Sequence, residues 1–362
     1  MKRLQLRKIS VLLITLLMLV SCEDFLDRYP TTAVSEDDIF TNIKTAEASL
    51  IGLYNNLQSG NLTGRSTLLR GDLKSCDFML LTGTGLYFGV EYNYRDNVTT
   101  YGSAGVIWAK GYETVKDCNI FIEGISLLEG DQDKINDMIA QAKTIKAIAY
   151  LEMVKTFCYP PRFGSMDAKY ALGLPLVRDK RENVDAIATG PLRASLTETM
   201  EYIEELLEDA ALNINQSRQP GPFISKPAVY GILARVKLYQ EKWQEAVSAG
   251  QIAAVAGSVI DHDDYLEAIR QDYNAECLFE LSFSETDNLA DRMPGYVINQ
   301  TVNENNRNDN TSKGYGEIGA TDTFLQLIKE NPNDIRIQLL HEDKMSTAPA
   351  DAEELVHGVN GY

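Results

Sequence analysis

The sequence predicts a mainly α protein, a tetratricopeptide-like scaffold of helical hairpins carrying long irregular loops and a few short strands. Three observations lead there. Apolar residues recur at steps of three and four through most of the chain. Small residues fall at the offsets where two antiparallel helices would touch. Two long polar stretches rich in Gly and Asn, residues 60–103 and 284–320, break the periodicity and read as loops with a task of their own.

The chain opens with Lys2, Arg3, Arg7 and Lys8, followed by the apolar run Val11 to Val20, broken only by Thr15. That run is too short to span a bilayer as a helix and has the proportions of a signal peptide. Ser21 before Cys22, with Leu19 two positions earlier still, resembles a lipobox, so residues 1–21 are expected to be removed and Cys22 to become the lipidated first residue. The acyl chains attached there would bury far more methylene than the single chain that binds only marginally, which makes a stable anchor. An ordinary secretory signal is the alternative. Residues 22–34 then form an acidic tether, in which Glu23, Asp24 and Asp27 resemble an export tag for the outward face of the outer membrane. Residues 35–362 form the helical domain.

The whole chain carries a net charge of −18, and loss of the four cations before Cys22 leaves the mature chain near −22. A body so acidic is repelled by nucleic acid and by anionic lipid, which excludes those partners. Cys76, Cys118, Cys158 and Cys277 show no metal-ligand spacing and read as buried free thiols, with a Cys118–Cys158 bond as the alternative.

Helices are expected over residues 36–58, 105–128, 133–157, 195–214, 227–240 and 242–256. Ser35, with Asp38 three residues on, has the pattern of a cap for the first. In the third, Ile135, Met138, Ala142, Ile145, Ala149 and Met153 line one face and Ile148, Leu151, Val154 and Phe157 another, so this element belongs inside. The fourth sets Leu196, Met200, Ile203, Leu207, Ala210 and Ile214 against a glutamate-rich outer face, behind a capping box of Ser195 and Glu198. The last two carry Tyr230, Leu233, Ala234, Trp243, Ala246 and Ala253 at tetratricopeptide offsets, with Trp243 expected to fill the turn; Lys237 and Gly250 stand where bulkier residues are usual. Short strands are expected at Leu174–Val177 and Cys277–Phe283, and Trp108 and Tyr112 are expected to be core.

Several constellations fail. Gly83, Gly85 and Gly89 miss the dinucleotide spacing. Residues 306–317 lack the first aspartate and the turn glycine of a calcium loop. His262, His341 and His357 are scattered, and there is no nucleophile elbow, so neither a metal, a cofactor nor a catalytic residue is expected.

The lipobox running into "SCEDFLDRYP", then "GLYNNL", "WAKGYETVKDCNIFIEGI", "AIAYLEMVKTF" before "GLPLV", "LARVKLYQEKWQEA" and "TDTFLQLIKENPNDIR" together resemble the SusD/RagB family. The resemblance implies a non-catalytic outer-membrane lipoprotein that captures oligosaccharides for a TonB-dependent, SusC-like transporter. Peptide cargo is the nearest alternative, and a surface glycoside hydrolase or a pure transporter scaffold are those of another class. Departures are Lys146 where the family tends to have Arg and Cys158 where it has Gly. Members also run further through a C-terminal helical part, so the chain ending at Tyr362 is expected to be a fragment.

Sugar capture needs flat rings against pyranose C–H faces and polar groups for hydroxyls. "GTGLYFGVEYNYRDN" holds both, and the family's binding aromatics lie in the corresponding loop. The expected ligand residues are therefore Tyr87, Tyr92 and Tyr94, with Asn93, Arg95 and Asn97 as polar contacts and Tyr296 from the second loop; Phe88, without a polar tip, is expected to pack inward. One ring covering ~50 Å² contributes only ~1 kcal/mol, so several must act together.

Overall fold

Helix-forming patterns that are apolar on two faces can be satisfied only between two neighbours, and the element Gln132–Phe157 is built that way. In the computed structural model, which describes residues 39–75, 77–81, 87–97, 102–160, 171–182, 190, 192–269, 271–283, 317–344 and 355–359, the chain from Phe40 onward forms one compact unit. In chain order its main elements are α1 (Ile43–Gln58), α2 (Ser66–Leu73), β1 (Phe78–Leu80), the one-turn α3 (Gly89–Tyr92), α4 (Gly102–Ser126), α5 (Gln132–Phe157), α6 (Leu196–Asn213), α7 (Lys226–Tyr239), α8 (Trp243–Ala254), α9 (Tyr265–Ala268), β2 (Ile318–Ala320), α10 (Asp322–Glu330), β3 (Leu340–Lys344) and β4 (Leu355–Val359). Cys22 and its tether, Ser35, Cys76, Tyr296 and residues 306–316 lie outside the described residues.

The central element is α5. Its N-terminus is capped by Asp131, whose Oδ1 accepts from the backbone N–H groups of Asp133 and Lys134, and it packs against α4 on one side and α6 on another, with α1 across both α4 and α5. All six residues of its first apolar face are buried, as are Leu151 and Val154 of the second, while Ile148 and Phe157 are half-buried. Helix α6 follows its sequence pattern closely: Leu196, Met200, Ile203, Leu207, Ala210 and Ile214 are all buried, and Ser195 and Glu198 form the reciprocal capping box. The capping hydrogen bonds from Ser195 hold the exposed Glu198 carboxyl below its ordinary pKa.

The α7–α8 pair is an antiparallel hairpin joined through Gln240–Lys242. Leu233, Ala249 and Ala253 are buried in it, with Tyr230, Ala234 and Ala246 half-buried. Trp243 does not fill the turn: it is 57% exposed at the first position of α8, where the chain has just left the hairpin connection. The interior position is held by Lys237, whose ammonium is ringed by Glu204, Glu208 and Glu245. Burial alone would lower its pKa, but the hydrogen bonds it donates to the three carboxylates raise it above the ordinary lysine range.

Other expectations are corrected. Helix α1 begins at Ile43 and not at 36, behind a cap from Asn42, whose side chain accepts from Thr45 N while the Thr45 hydroxyl answers the Asn42 N–H; the expected cap Ser35 lies outside the described residues. Neither expected strand forms; Leu172 with Ser195 and Gly221 with Phe279 make only isolated bridges. Helices take up the backbone groups that a partner strand would have taken: Thr199 Oγ1 accepts from Leu174 N at 3.0 Å, the Tyr150 hydroxyl accepts from Val177 N at 2.8 Å, and Asn119 donates to Val177 O. A four-stranded antiparallel sheet forms elsewhere, in the order β1-β2-β4-β3, with Phe78 opposite Ala320 and Leu340 opposite Val359. The stretch 60–103 is therefore not one loop, since it contains α2, β1 and α3. Trp108 lies at the edge of the core, against the rings of Tyr112 and Phe157. Cys118 is buried and free, and Cys158 and Cys277 are half-buried and free, so the Cys118–Cys158 bond is absent.

Candidate functional site

Segment 87–97 turns on a small apolar core of its own. Phe88 is 0% exposed and packs with Leu69, Leu73, Leu80 and Ile318, with Tyr92 half-buried against them. With that anchor fixed, α3 makes a single turn, and the chain reverses through Tyr94, which takes a left-handed φ of 53° and donates its backbone N–H to Glu91 O. The outer side of the turn forms an open cleft of about 640 Å³, lined by Gly89, Val90, Asn93, Tyr94, Arg95, Asp96 and Asn97.

Charged side chains brace the cleft from behind. Glu91, fully buried, accepts from Arg70 Nη1 at 3.3 Å and from the backbone N–H of Ser103. Arg70 also donates to Ser103 Oγ and pairs with Asp96, which Lys74 meets from the other side at 3.0 Å. Burial would raise the Asp96 carboxyl, but the hydrogen bonds from Lys74 and Arg70 outweigh it and hold the group below the usual range, so it is ionised at neutral pH. The start of α4 fits this arrangement only as glycine: Gly102 has a φ of 45°, and a Cβ there would lie 2.4 Å from Glu91 Oε1.

Of the expected ligand residues, Asn93, Tyr94, Arg95 and Asn97 line this cleft together. Tyr94 is 66% exposed; its hydroxyl donates to Lys74 O and the Lys74 ammonium stands 5.2 Å from its ring centroid. Asn93 and Asn97 each hold the loop through a side-chain donor, to Gly89 O at 2.7 Å and Arg95 O at 3.1 Å. Tyr87 and Tyr92 are not in its lining. The Tyr87 hydroxyl accepts from Arg65 Nη2 at 2.8 Å, with the guanidinium over its ring, and Tyr92 faces the small core. Asp96, Arg70 and Glu91 were absent from the expectation. Asp96 sits between two nominated residues and could have been included on that ground, whereas Arg70 and Glu91 are joined to it only by tertiary folding. Among the described residues no group of His, Cys, Asp or Glu side chains could hold a metal ion, and no helix is long and apolar enough to cross a membrane.

Residues 24–238 match the model of a SusD-like family described as "starch-binding associating with outer membrane". The chain belongs to the SusD-like family. Within it, the chain is similar to SusD-like protein P2 of Formosa agariphila, at 25% identity over 248 residues; the match covers 66% of this chain and 44% of that protein, so the chain spans less than half of this curated relative. Its fold is that of a SusD superfamily protein from Bacteroides vulgatus, with a TM-score of 0.73 at 19% identity over 88% of this chain and 68% of the other. A laminarin-binding SusD-like protein superposes with a TM-score of 0.62 at 16% identity, over 83% of this chain and 66% of its own.

Proposed function

We propose that this chain is a surface-exposed outer-membrane lipoprotein, anchored through Cys22, that captures oligosaccharides in the cleft at 89–97 and passes them to a TonB-dependent, SusC-like transporter without making or breaking a bond. The family match over 24–238, with its starch-binding and outer-membrane description, carries this reading. The laminarin-binding fold neighbour supports a carbohydrate cargo. The cleft fits that cargo: an exposed phenol ring for a pyranose face stands beside amides, a guanidinium and a carboxylate for hydroxyls. A stacked ring contributes only ~1 kcal/mol, which suits a protein that must release what it holds.

The test is retention on immobilised polysaccharides and calorimetric titration with their oligosaccharides. Tyr94→Ala should weaken binding about fivefold, the factor that ~1 kcal/mol of lost stacking gives. Unchanged retention would remove the cleft from the reading. Labelled palmitate should enter the wild-type chain and not Cys22→Ala, and the wild-type chain should co-purify with a β-barrel partner.

A further inference from the structure

Among the described residues, the side chains bonded around the cleft carry more cations than carboxylates, against the sign of the whole chain. Segment 87–97 and the side chains bonded to it hold three carboxylates, Glu91, Asp96 and Glu317, against four cations, Arg65, Arg70, Lys74 and Arg95. Glu91 is met by Arg70, and Asp96 by Arg70 and Lys74 together. Glu317 accepts from the backbone N–H of Tyr87, whose ring Arg65 covers. Arg95 is the cation left over. Its backbone N–H is tied to Val90 O at 2.9 Å, its side chain is exposed in the cleft lining, and it makes no ion pair among the described residues. Among the described residues this leaves one more cation than carboxylates around the segment, in a chain whose net charge is −18.

A neutral sugar gains little from that arrangement, because its hydroxyls are served equally well by Asn93, Asn97 and backbone groups. A planar guanidinium instead matches the oxygens of a carboxylate or a sulfate, which it binds with two parallel hydrogen bonds. The acidic body does not cancel this preference, since at physiological ionic strength charges beyond ~8 Å are largely screened and the near ones decide. Resting on the glycan-binding reading above, we propose that the cargo is an acidic glycan whose ring-borne oxyanion, a uronate carboxylate or a sulfate ester, is read by Arg95 as the specificity-determining residue, with Tyr94 taking the ring face.

The experiment uses matched pairs that differ only in charge: oligogalacturonate and its carboxyl-reduced form, oligoalginate and its reduced form, and a sulfated galactan oligosaccharide and its desulfated form. Each is titrated into the full chain at low and at 0.5 M salt, the last concentration being well past the point where the Debye length falls below ~5 Å. The acidic member of a pair should bind about fivefold tighter or more at low salt, the advantage shrinking with added salt. Arg95→Gln should bring the acidic-to-neutral ratio toward one, a change that general damage to the cleft would not produce. Preference for a uronate pair or for the sulfate pair identifies the oxyanion. Equal or tighter binding of the uncharged member in the pairs that bind overturns the inference and leaves the glycan reading standing, whereas binding of no carbohydrate removes both.

Discussion

Lys146 shows how far one buried charge reaches. Only 1% exposed, it donates to Asn119 Oδ1 and to Arg178 O, and its ammonium stands 5.3 Å from the Tyr202 ring. Asn119 in turn donates to the backbone oxygens of Val177 and Asp179, so a single amine fixes the extended segment that follows α5. Burial pushes its pKa down to about 8 despite the nearby Glu182 and Asp179. The folded state therefore releases this proton before the unfolded chain does, near 10.4, and between those values the unfolded state binds more protons. Stability from this group rises with pH through that window. Relative to Lys146→Met, the wild-type chain should gain about 1.5 kcal/mol between pH 8 and 9.5 in urea unfolding, and a parallel pH dependence of the two proteins would refute it.

At the scale of elements, a polar network decides where a loop can lie. Asp137 of α5 accepts from Asn215 N at 2.8 Å and from both terminal nitrogens of Arg218, and Gln141 one turn later donates to it at 2.9 Å. Gln141 also accepts from the hydroxyl of Tyr54 on α1, which itself accepts from Ile224 N. Three segments distant in sequence meet in these bonds, around Tyr54, Asp137 and Asn215–Ile224, and α7 enters the bundle through the last of them. Asp137→Ala would leave Arg218 without its anion in a largely enclosed place, at a cost of about 3 kcal/mol. Chemical denaturation should show that loss, while Asp137→Asn, which keeps acceptor capacity, should recover part of it.

For the whole molecule, the small core of Leu69, Leu73, Leu80, Phe88 and Ile318 is separate from the main helical core. The cleft rests on the smaller one, so it can open without unfolding α4, α5 and α6. Amides of α2 and α3 should exchange hydrogen faster than those of α5, and Phe88→Ala should deepen that difference while leaving α5 protection intact; uniform protection across both would contradict it. This division also explains what could be read in advance. Helical spacing is a local property, so the buried faces of α5 and α6 and the α7–α8 hairpin were legible, as was the inward packing of Phe88. The sheet was not, because its strands are three to five residues long, and β1 pairs with β2, and β2 with β4, across large separations in sequence. Trp243 was misplaced because its offset fits a repeat pattern, whereas its burial depends on how the turn leaves the helix.

By itself the sequence determined the helical class, the order of the main helices, the family and the aromatic segment that carries the cleft. Periodicity, caps and motif order are written in neighbouring residues and need no partner to be read. Only the tertiary structure decided that Arg70 joins Glu91 to Asp96, that Tyr87 turns to Arg65 while Tyr94 lines the cleft, and that Arg95 lines the same cleft with no ion pair among the described residues. Which charges neutralise each other depends on distances of a few ångströms between residues remote in the chain, and Coulombic and hydrogen-bond energies follow those distances, not sequence separation.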